Sequence, residues 1–356
     1  MMELKELPFL TNYGFMLTYK CTIACPHCIV KAGPHRTEEM TAEDAYDWLD
    51  QIKAFSDSRN IRPGISLTGG EPFYNRELLG KVARYAGQTG FLVSVVSNAY
   101  WASTREEALE TVRSMEAVGY FSISTDRYHQ EFIPLDHIRN AVFACKKLGK
   151  EYNIAVATVS EEDPSYLALI DLLLEFTERD RIETALLVTV GRAATAVDTE
   201  SLGYAAEPCK AACSMASFPV IFPDGRVIAC IGPPIVLPDF NPLHLGNLKK
   251  NSLEEILNQA EKNTILHAIR TFGPSSLVEQ LKEKGYGELL PDSFQTDSIC
   301  DICNQLFTSR KICFALEEVA SDEFFSKKVA YGRYYYLQEP QMLEALQLVD
   351  DPEMKD

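Results

Sequence analysis

The sequence predicts an α/β fold: a parallel sheet covered by helices, then a small α+β cysteine-rich module and a helical tail. Three observations predict it. The first half of the chain alternates short apolar runs with amphipathic stretches, which makes about six β–α units. After Val190 the alternation stops and a run of small, polar residues begins. Beyond that run, cysteines gather at 209–230 and again at 300–313. Six β–α units suit an open doubly wound sheet or an incomplete barrel, and periodicity alone does not choose between them.

The strand-like runs are Tyr13–Tyr19, Ile65–Leu67, Phe91–Ser97, Tyr120–Ser124, Tyr152–Val159 and Glu183–Val190. The first helix opens at Thr41 with Asp44 three residues on, a variant of the capping box. It places Ala45, Trp48, Leu49, Ile52 and Phe55 on one face. Further helices are expected near Arg76–Gln88, Thr104–Val118, Leu135–Leu148 and Ser165–Phe176. Gly191–Glu207 reads as a linker. Ser217–Cys230 reads as a hairpin turning at Pro223-Asp224-Gly225. One helix is expected over Ser252–Thr271, and Cys300–Cys313 closes the cysteine-rich module. From Phe314 the chain is helical and acidic, with an interruption at Tyr331–Tyr336.

Composition narrows the function. With 356 residues, 46% of them hydrophobic, the chain has material for a large domain and a smaller one. A net charge of −17 argues against nucleic acid and against an anionic membrane surface, both of which need clustered Lys and Arg. The N-terminal run shows no signal peptide and no transmembrane span, so a cytoplasmic setting is expected. In that setting ten cysteines suit metal or catalytic roles better than disulfides. Cys145, alone among them, shares an apolar helix face with Ile138, Ala141 and Val142 and reads as a core thiol.

Cys21, Cys25 and Cys28 follow the first strand directly. Three thiolates leave a four-coordinate metal site one ligand short, and such a site is open for chemistry. In parallel α/β folds ligands gather at the carboxyl ends of strands. That edge also carries Thr68-Gly69-Gly70-Glu71-Pro72, Ser97-Asn98 and Ser124-Thr125-Asp126. Glycines let a ligand approach the backbone, and the polar side chains suit a polar cofactor.

The Cys21, Cys25, Cys28 spacing followed by Gly-Gly-Glu-Pro after the second strand resembles the radical SAM enzymes over about the first 195 residues. The resemblance implies a partial (β/α)6 TIM-like barrel. It also implies a 4Fe–4S cluster held by the three cysteines, with S-adenosylmethionine on the fourth iron. Reductive cleavage of that ligand would give a 5′-deoxyadenosyl radical that abstracts a substrate hydrogen. By position, Gly69, Gly70 and Glu71 match the segment that meets the methionine amino group. Asn98 and Ser124 match strand ends that touch ribose or carboxylate, and His27 matches a residue near the adenine. Gly191-Arg192-Ala193 matches a segment closing the sixth strand. The alternatives are a structural zinc site completed by His27 or His35, and strand-end caps for Asn98 and Ser124. His129 reads as a packing residue before a catalytic one.

Cys213, Gly225 and Cys230 with the Cys300–Cys303 pair resemble the SPASM and twitch extensions of these enzymes. The resemblance implies one auxiliary 4Fe–4S cluster on Cys213, Cys230, Cys300 and Cys303, with Cys209 and Cys313 as spare thiols or substitute ligands. A zinc ribbon is the alternative. The expected organisation is a barrel over 1–195, an auxiliary-cluster domain over 205–315 and a helical tail over 316–356. The expected reaction is oxidation of a peptide or protein side chain, with a reductant such as flavodoxin or ferredoxin supplying the electron that cleaves S-adenosylmethionine. Ile231 stands where the sulfatase-maturing branch has an aspartate base, which argues against that branch. No leader-binding domain is expected before the first strand. The alternatives are a dehydrogenase of a sugar-like or aminocyclitol alcohol, and a non-catalytic iron–sulfur carrier. Tyr331, Tyr334, Tyr335 and Tyr336 are expected to pack on the module or to line a substrate channel.

Overall fold

The structure, a computed structural model, describes residues 12–197 and 202–347. Six parallel strands form its frame: β1 (Asn12–Thr18), β2 (Gly64–Gly69), β3 (Leu92–Ser97), β4 (Val118–Ser124), β5 (Glu151–Thr158) and β6 (Ile182–Leu186). They pair strictly in chain order. A doubly wound sheet would reverse its order at a switch point; this one does not, so it winds as a barrel does. One cavity is lined by Asn12 and Gly14 of β1 and also by Glu183 of β6, which only a curved sheet allows. β6 pairs with β5 and not with β1, so the barrel is partial.

The connecting helices are α1 (Ala42–Asp57), α2 (Arg76–Thr89), α3 (Arg105–Ser114), α4 (Leu135–Leu148) and α5 (Pro164–Leu174). Thr41 caps α1 by accepting the Asp44 N–H at 3.0 Å, as the sequence suggests. Tyr13, Phe15, Leu17, Ile65, Leu67, Val95 and Phe121 are buried in one core with Trp48, Leu49, Leu79, Val82 and Val112 of the helices. Cys145 is fully buried in that core, and burial pushes its thiol up to about 12.

Beyond the barrel lie α6 (Ala193–Ala196), β7 (Tyr204–Ala205), β8 (Val220–Ile221), β9 (Arg226–Ile228) and β10 (His244–Asn247). The hairpin β8–β9 turns where expected, but it is not detached from the barrel. β8 pairs in parallel with β1, and the sheet runs on through β9 and β10. Gly14 permits this, since a Cβ there would already stand 3.1 Å from the Val220 side chain.

The remaining elements are α7 (Leu253–Glu261), α8 (Thr264–Phe272), α9 (Ser275–Glu283), β11 (Phe294–Gln295), α10 (Ile299–Thr308), α11 (Arg310–Ser321), α12 (Glu323–Leu337) and α13 (Met342–Ala345). β11 pairs with β7 as a separate two-stranded sheet. Two expectations need correction. The helix expected over Ser252–Thr271 is two helices. Asn263 takes an extended conformation and caps the second by accepting the Leu266 N–H at 3.0 Å. The interruption expected at Tyr331–Tyr336 does not occur, and α12 runs through it. Gly332 and Arg333 face inward while the tyrosines face solvent. A Cβ on Gly332 would stand 2.5 Å from Thr271 and Phe272, so α12 lies hard against α8.

A buried charge network ties these helices together. Glu339 accepts from Arg270 at 2.8 Å and from Arg333 at 2.6 Å, and Arg333 also pairs with Glu261. Arg270 donates on to Ser217 Oγ at 2.7 Å, just past Cys213. It also donates to His267 Nδ1 at 2.9 Å, while His267 Nε2 meets the Glu261 carbonyl at 2.9 Å. That pattern makes His267 neutral with its proton on Nε2. The boundary expected at 315/316 falls within α11.

Candidate active site

The loop after β1 is shaped by its own backbone and by residues far along the chain. Tyr19 N–H donates to the Glu38 carbonyl at 2.9 Å, and Cys21 N–H to that of Gly33 at 3.2 Å. Arg192, just beyond β6, grips the loop: its Nε donates to the Cys25 carbonyl at 2.9 Å and its backbone N–H to that of Cys28 at 3.1 Å. Gly191 sits at φ +65, where a Cβ would stand 2.4 Å from the Ile29 carbonyl oxygen. The Gly-Arg-Ala segment thus serves as a clamp on the cysteine loop. Cys21 and Cys25 are buried and Cys28 is half-buried. Burial pushes the Cys21 thiol up to about 12, so this sulfur sheds its proton only to a metal's charge.

The Gly-Gly-Glu segment is zipped to the same loop. Gly70 N–H donates to the Thr18 carbonyl at 2.6 Å and Glu71 N–H to that of Lys20 at 2.9 Å. A Cβ on Gly70 would stand 2.3 Å from the Lys20 oxygen. The glycine is therefore required by the neighbouring backbone, and Gly69 and Gly70 line the cavity besides. Glu71 turns away from that cavity. Its carboxylate is fully buried and accepts from Asn98 N–H at 2.8 Å, Ser97 Oγ at 2.9 Å and Phe73 N–H at 3.1 Å. It braces the end of β2 against that of β3, and burial pushes it up to about 7. Only its backbone remains for the cofactor contact expected of it.

Asn98 Nδ2 points at Cys21 Sγ, 3.8 Å away, and at Thr22 Oγ1, 3.3 Å away. Ser124 lines the cavity at the end of β4. Just beyond it, Asp126 is buried and accepts from the backbone N–H of Tyr128 and His129 at 2.9 and 3.0 Å. Asp126 Oδ2 also meets His129 Nδ1 at 2.8 Å and lies 3.5 Å from His27 Nε2. Burial would lower His129, but the hydrogen bonds to Asp126 and Cys25 win and push it up to about 10. Burial lowers His27 to about 4, and its Nδ1 is buried without a hydrogen-bond partner. Among the described residues, the trio of ligand atoms converging within 4.8 Å is Cys25, His27 and His129, not the three cysteines. His35 is exposed and is not among the converging ligands. Three thiols around an open cavity, not converging on one point, fit a cluster with one vacant iron better than a single zinc ion.

The second cysteine set faces the same cavity. Cys213, Cys230 and Cys300 line it together with Cys21, Cys25 and Cys28, in a volume of about 640 Å³. Cys230 follows β9, and Cys300 and Cys303 share a face at the start of α10, whose N-terminal dipole favours thiolates. Burial pushes Cys300 up to about 12 and Cys303 well above its usual range, and each feels the charge of Cys213. Cys209 lies near Cys300, Asp297 and Asp301. Cys313 is elsewhere: on α11 its Sγ donates to the Phe307 carbonyl at 3.8 Å. The four tyrosines of α12 are exposed and absent from the cavity wall, so they form no channel to it.

A model of the radical SAM superfamily matches residues 15–188, and one of the SPASM iron–sulfur cluster-binding domain matches residues 213–304. The chain belongs to the radical SAM superfamily. With that membership come a 4Fe–4S cluster and S-adenosylmethionine, and with the SPASM domain auxiliary iron–sulfur chemistry. The SPASM match encloses Cys213, Cys230, Cys300 and Cys303 and leaves out Cys209 and Cys313. YydG of Bacillus subtilis (strain 168), named provisionally as a peptide biosynthesis protein, is 22% identical over 82% of this chain and 91% of its own length. MJ1227 of Methanocaldococcus jannaschii, named provisionally as a glycyl-radical enzyme activating enzyme, is 27% identical over 39% of this chain and 56% of its own. The crystal structure of BtrN in complex with AdoMet and 2-DOIA aligns at 10% identity and a TM-score of 0.44, over 75% of this chain and 89% of that one. No helix among the described residues is long and apolar enough to cross a membrane.

Three features do not show in the sequence: the target of Arg192, the inward turn of Glu71, and a second cavity of about 930 Å³ in the barrel lumen. The lumen shares Thr68, Val96, Met215 and Ile231 with the cysteine-lined cavity. Its walls carry Ser66, Ser94 and Ser122, which sit between the core-facing residues of their strands. That alternation is visible in the sequence; the barrel's curvature is not.

Proposed function

We propose that the protein is a radical SAM enzyme that oxidises a side chain of a peptide or protein, using one auxiliary 4Fe–4S cluster. Cys21, Cys25 and Cys28 would hold the first cluster, with Gly69, Gly70, Asn98, Ser124 and His27 around its S-adenosylmethionine. Cys213, Cys230, Cys300 and Cys303 would hold the auxiliary one. When bound, these groups supply a reductively generated radical and an acceptor for the substrate's electron. The supporting observation is the shared cavity, whose wall carries thiols of both sets. A substrate seated there faces both metal centres at once. The adjoining lumen gives room for residues flanking the reacting one, and Asn153 Oδ1 is buried within it without a partner. A buried amide oxygen suits an N–H of a polypeptide. The name carried by YydG supports a peptide substrate over a small alcohol.

The test is anaerobic reaction of the reconstituted protein with S-adenosylmethionine, a strong reductant and a short peptide encoded beside its gene. A mass change in the peptide together with 5′-deoxyadenosine is expected. Oxidation of a sugar-like alcohol with an untouched peptide would replace the substrate class, and absence of 5′-deoxyadenosine would refute the enzyme. Cys25→Ala should abolish cleavage of S-adenosylmethionine. Cys230→Ala should spare that cleavage and lose peptide product; a folded Cys230→Ala protein that cleaves nothing would contradict the division of roles.

A further inference from the structure

The roles given to the cysteine loop and the glycine segment leave one close pair of side chains without a task. Asp126 and His129 lie in the loop after β4, beside but not in the cysteine loop. Asp126 is 1% exposed, and its carboxylate is held by three donors: the backbone N–H of Tyr128 and of His129, and the His129 ring. Such holding fixes the imidazole plane. With Nδ1 at 2.8 Å from Asp126 Oδ2, the opposite ring nitrogen, Nε2, is the one left to donate elsewhere. The Cys25 sulfur and the His129 ring nitrogen lie within 4.8 Å. An imidazole between a carboxylate and a thiolate faces an acceptor on each side, so N–H on both nitrogens is the arrangement that satisfies both.

We propose that His129, oriented by Asp126, donates a hydrogen bond to the Cys25 sulfur and thereby tunes the reduction potential of the cluster that Cys25 holds. The inference rests on Cys25 being a ligand of that cluster. A donor to a ligating sulfur stabilises the state with more negative charge, which is the reduced cluster. His129 is thus a positioning and tuning residue. Asn98 Nδ2, 3.8 Å from Cys21 Sγ, is a second donor of the same kind. Two of the three sulfurs are approached by side chains from the ends of β3 and β4. The polarity of those strand ends therefore acts on the metal centre as well as on its ligand.

The experiment is an EPR-monitored redox titration of the reconstituted full chain, with iron counted in each variant. His129→Asn keeps an amide where Nδ1 was and removes the donor to sulfur. His129→Gln places its amide nitrogen where Nε2 was. His129→Asn should make one-electron reduction about tenfold less favourable, a shift of about 59 mV to lower potential. His129→Gln should recover part of it, and the auxiliary cluster's potential should stay put in both. An unchanged potential in a fully iron-loaded His129→Asn protein overturns the proposal. Where the variants fail to load iron, the unmodified protein answers instead: with ¹⁵N-labelled histidine, the reduced cluster should show a ¹⁵N hyperfine coupling, and its absence overturns the proposal equally. If Cys25→Ala retains the cluster and its cleavage of S-adenosylmethionine, the ligand assignment fails, and that outcome is distinct from an idle His129.

Discussion

Gly191 and Glu71 show how the site constrains single residues. Alanine at 191 would have to hold φ +65 and push a methyl into the Ile29 carbonyl. The conformational part alone costs about 1–2 kcal/mol. Gly191→Ala should lower the melting temperature and reduce the iron retained after reconstitution, while leaving the auxiliary cluster's EPR signal intact. Equal loss of both signals would mean general unfolding. Glu71 carries a pH signature. Its carboxyl is raised from 4.5 to about 7 in the fold, so the folded state favours its protonated form. That contribution to stability is complete below 4.5 and is lost as pH rises through 7. The stability of the wild type minus that of Glu71→Gln should therefore fall across this interval, read from denaturant midpoints at each pH. A flat difference would show that its three donors fully offset its burial.

At the level of elements, the β–α units were legible because most of the strands alternate, the helices between them have apolar faces, and four of those five helices open on a capping side chain. Thr41, Thr104 and Asp163 each accept the backbone N–H that their position predicts. The break at Asn263 was hidden by apolar residues that continue in helical spacing across it, so only the cap marks it. In the tail, the run of tyrosines reads as an interruption, yet α12 continues through it. What fixes α12 is one small residue, Gly332, and one charged one, Arg333, on its other side. Glu339 holds that side in place through both of its carboxylate oxygens. Glu339→Gln leaves two buried guanidinium groups short of a countercharge, and such losses run to about 3–5 kcal/mol. Because Arg270 also holds Ser217, the same variant should broaden the auxiliary cluster's EPR signal. Loss of stability with a wild-type signal would separate the tail from the cysteine segment.

For the molecule as a whole, two cysteine sets separated by most of the sequence meet at one cavity. Each set was legible from spacing. Their meeting was not, since it depends on β8 joining β1 and on the curvature of the sheet. About eight irons per chain are expected on full reconstitution, divided equally between two clusters. Roughly four would remove the auxiliary site, and roughly twelve would require ligands beyond the four thiols assigned to it. The clamp from Arg192 adds an order in time. It reaches the Cys25 carbonyl across 167 residues of chain. At ribosomal rates of about 5–20 residues per second, that separation takes roughly ten to thirty seconds to synthesise. The cysteine loop leaves the ribosome first and acquires its final shape only when the barrel's last strand has followed. Until Arg192 has been made, the Cys25 and Cys28 carbonyls lack the donors that hold them in the folded chain.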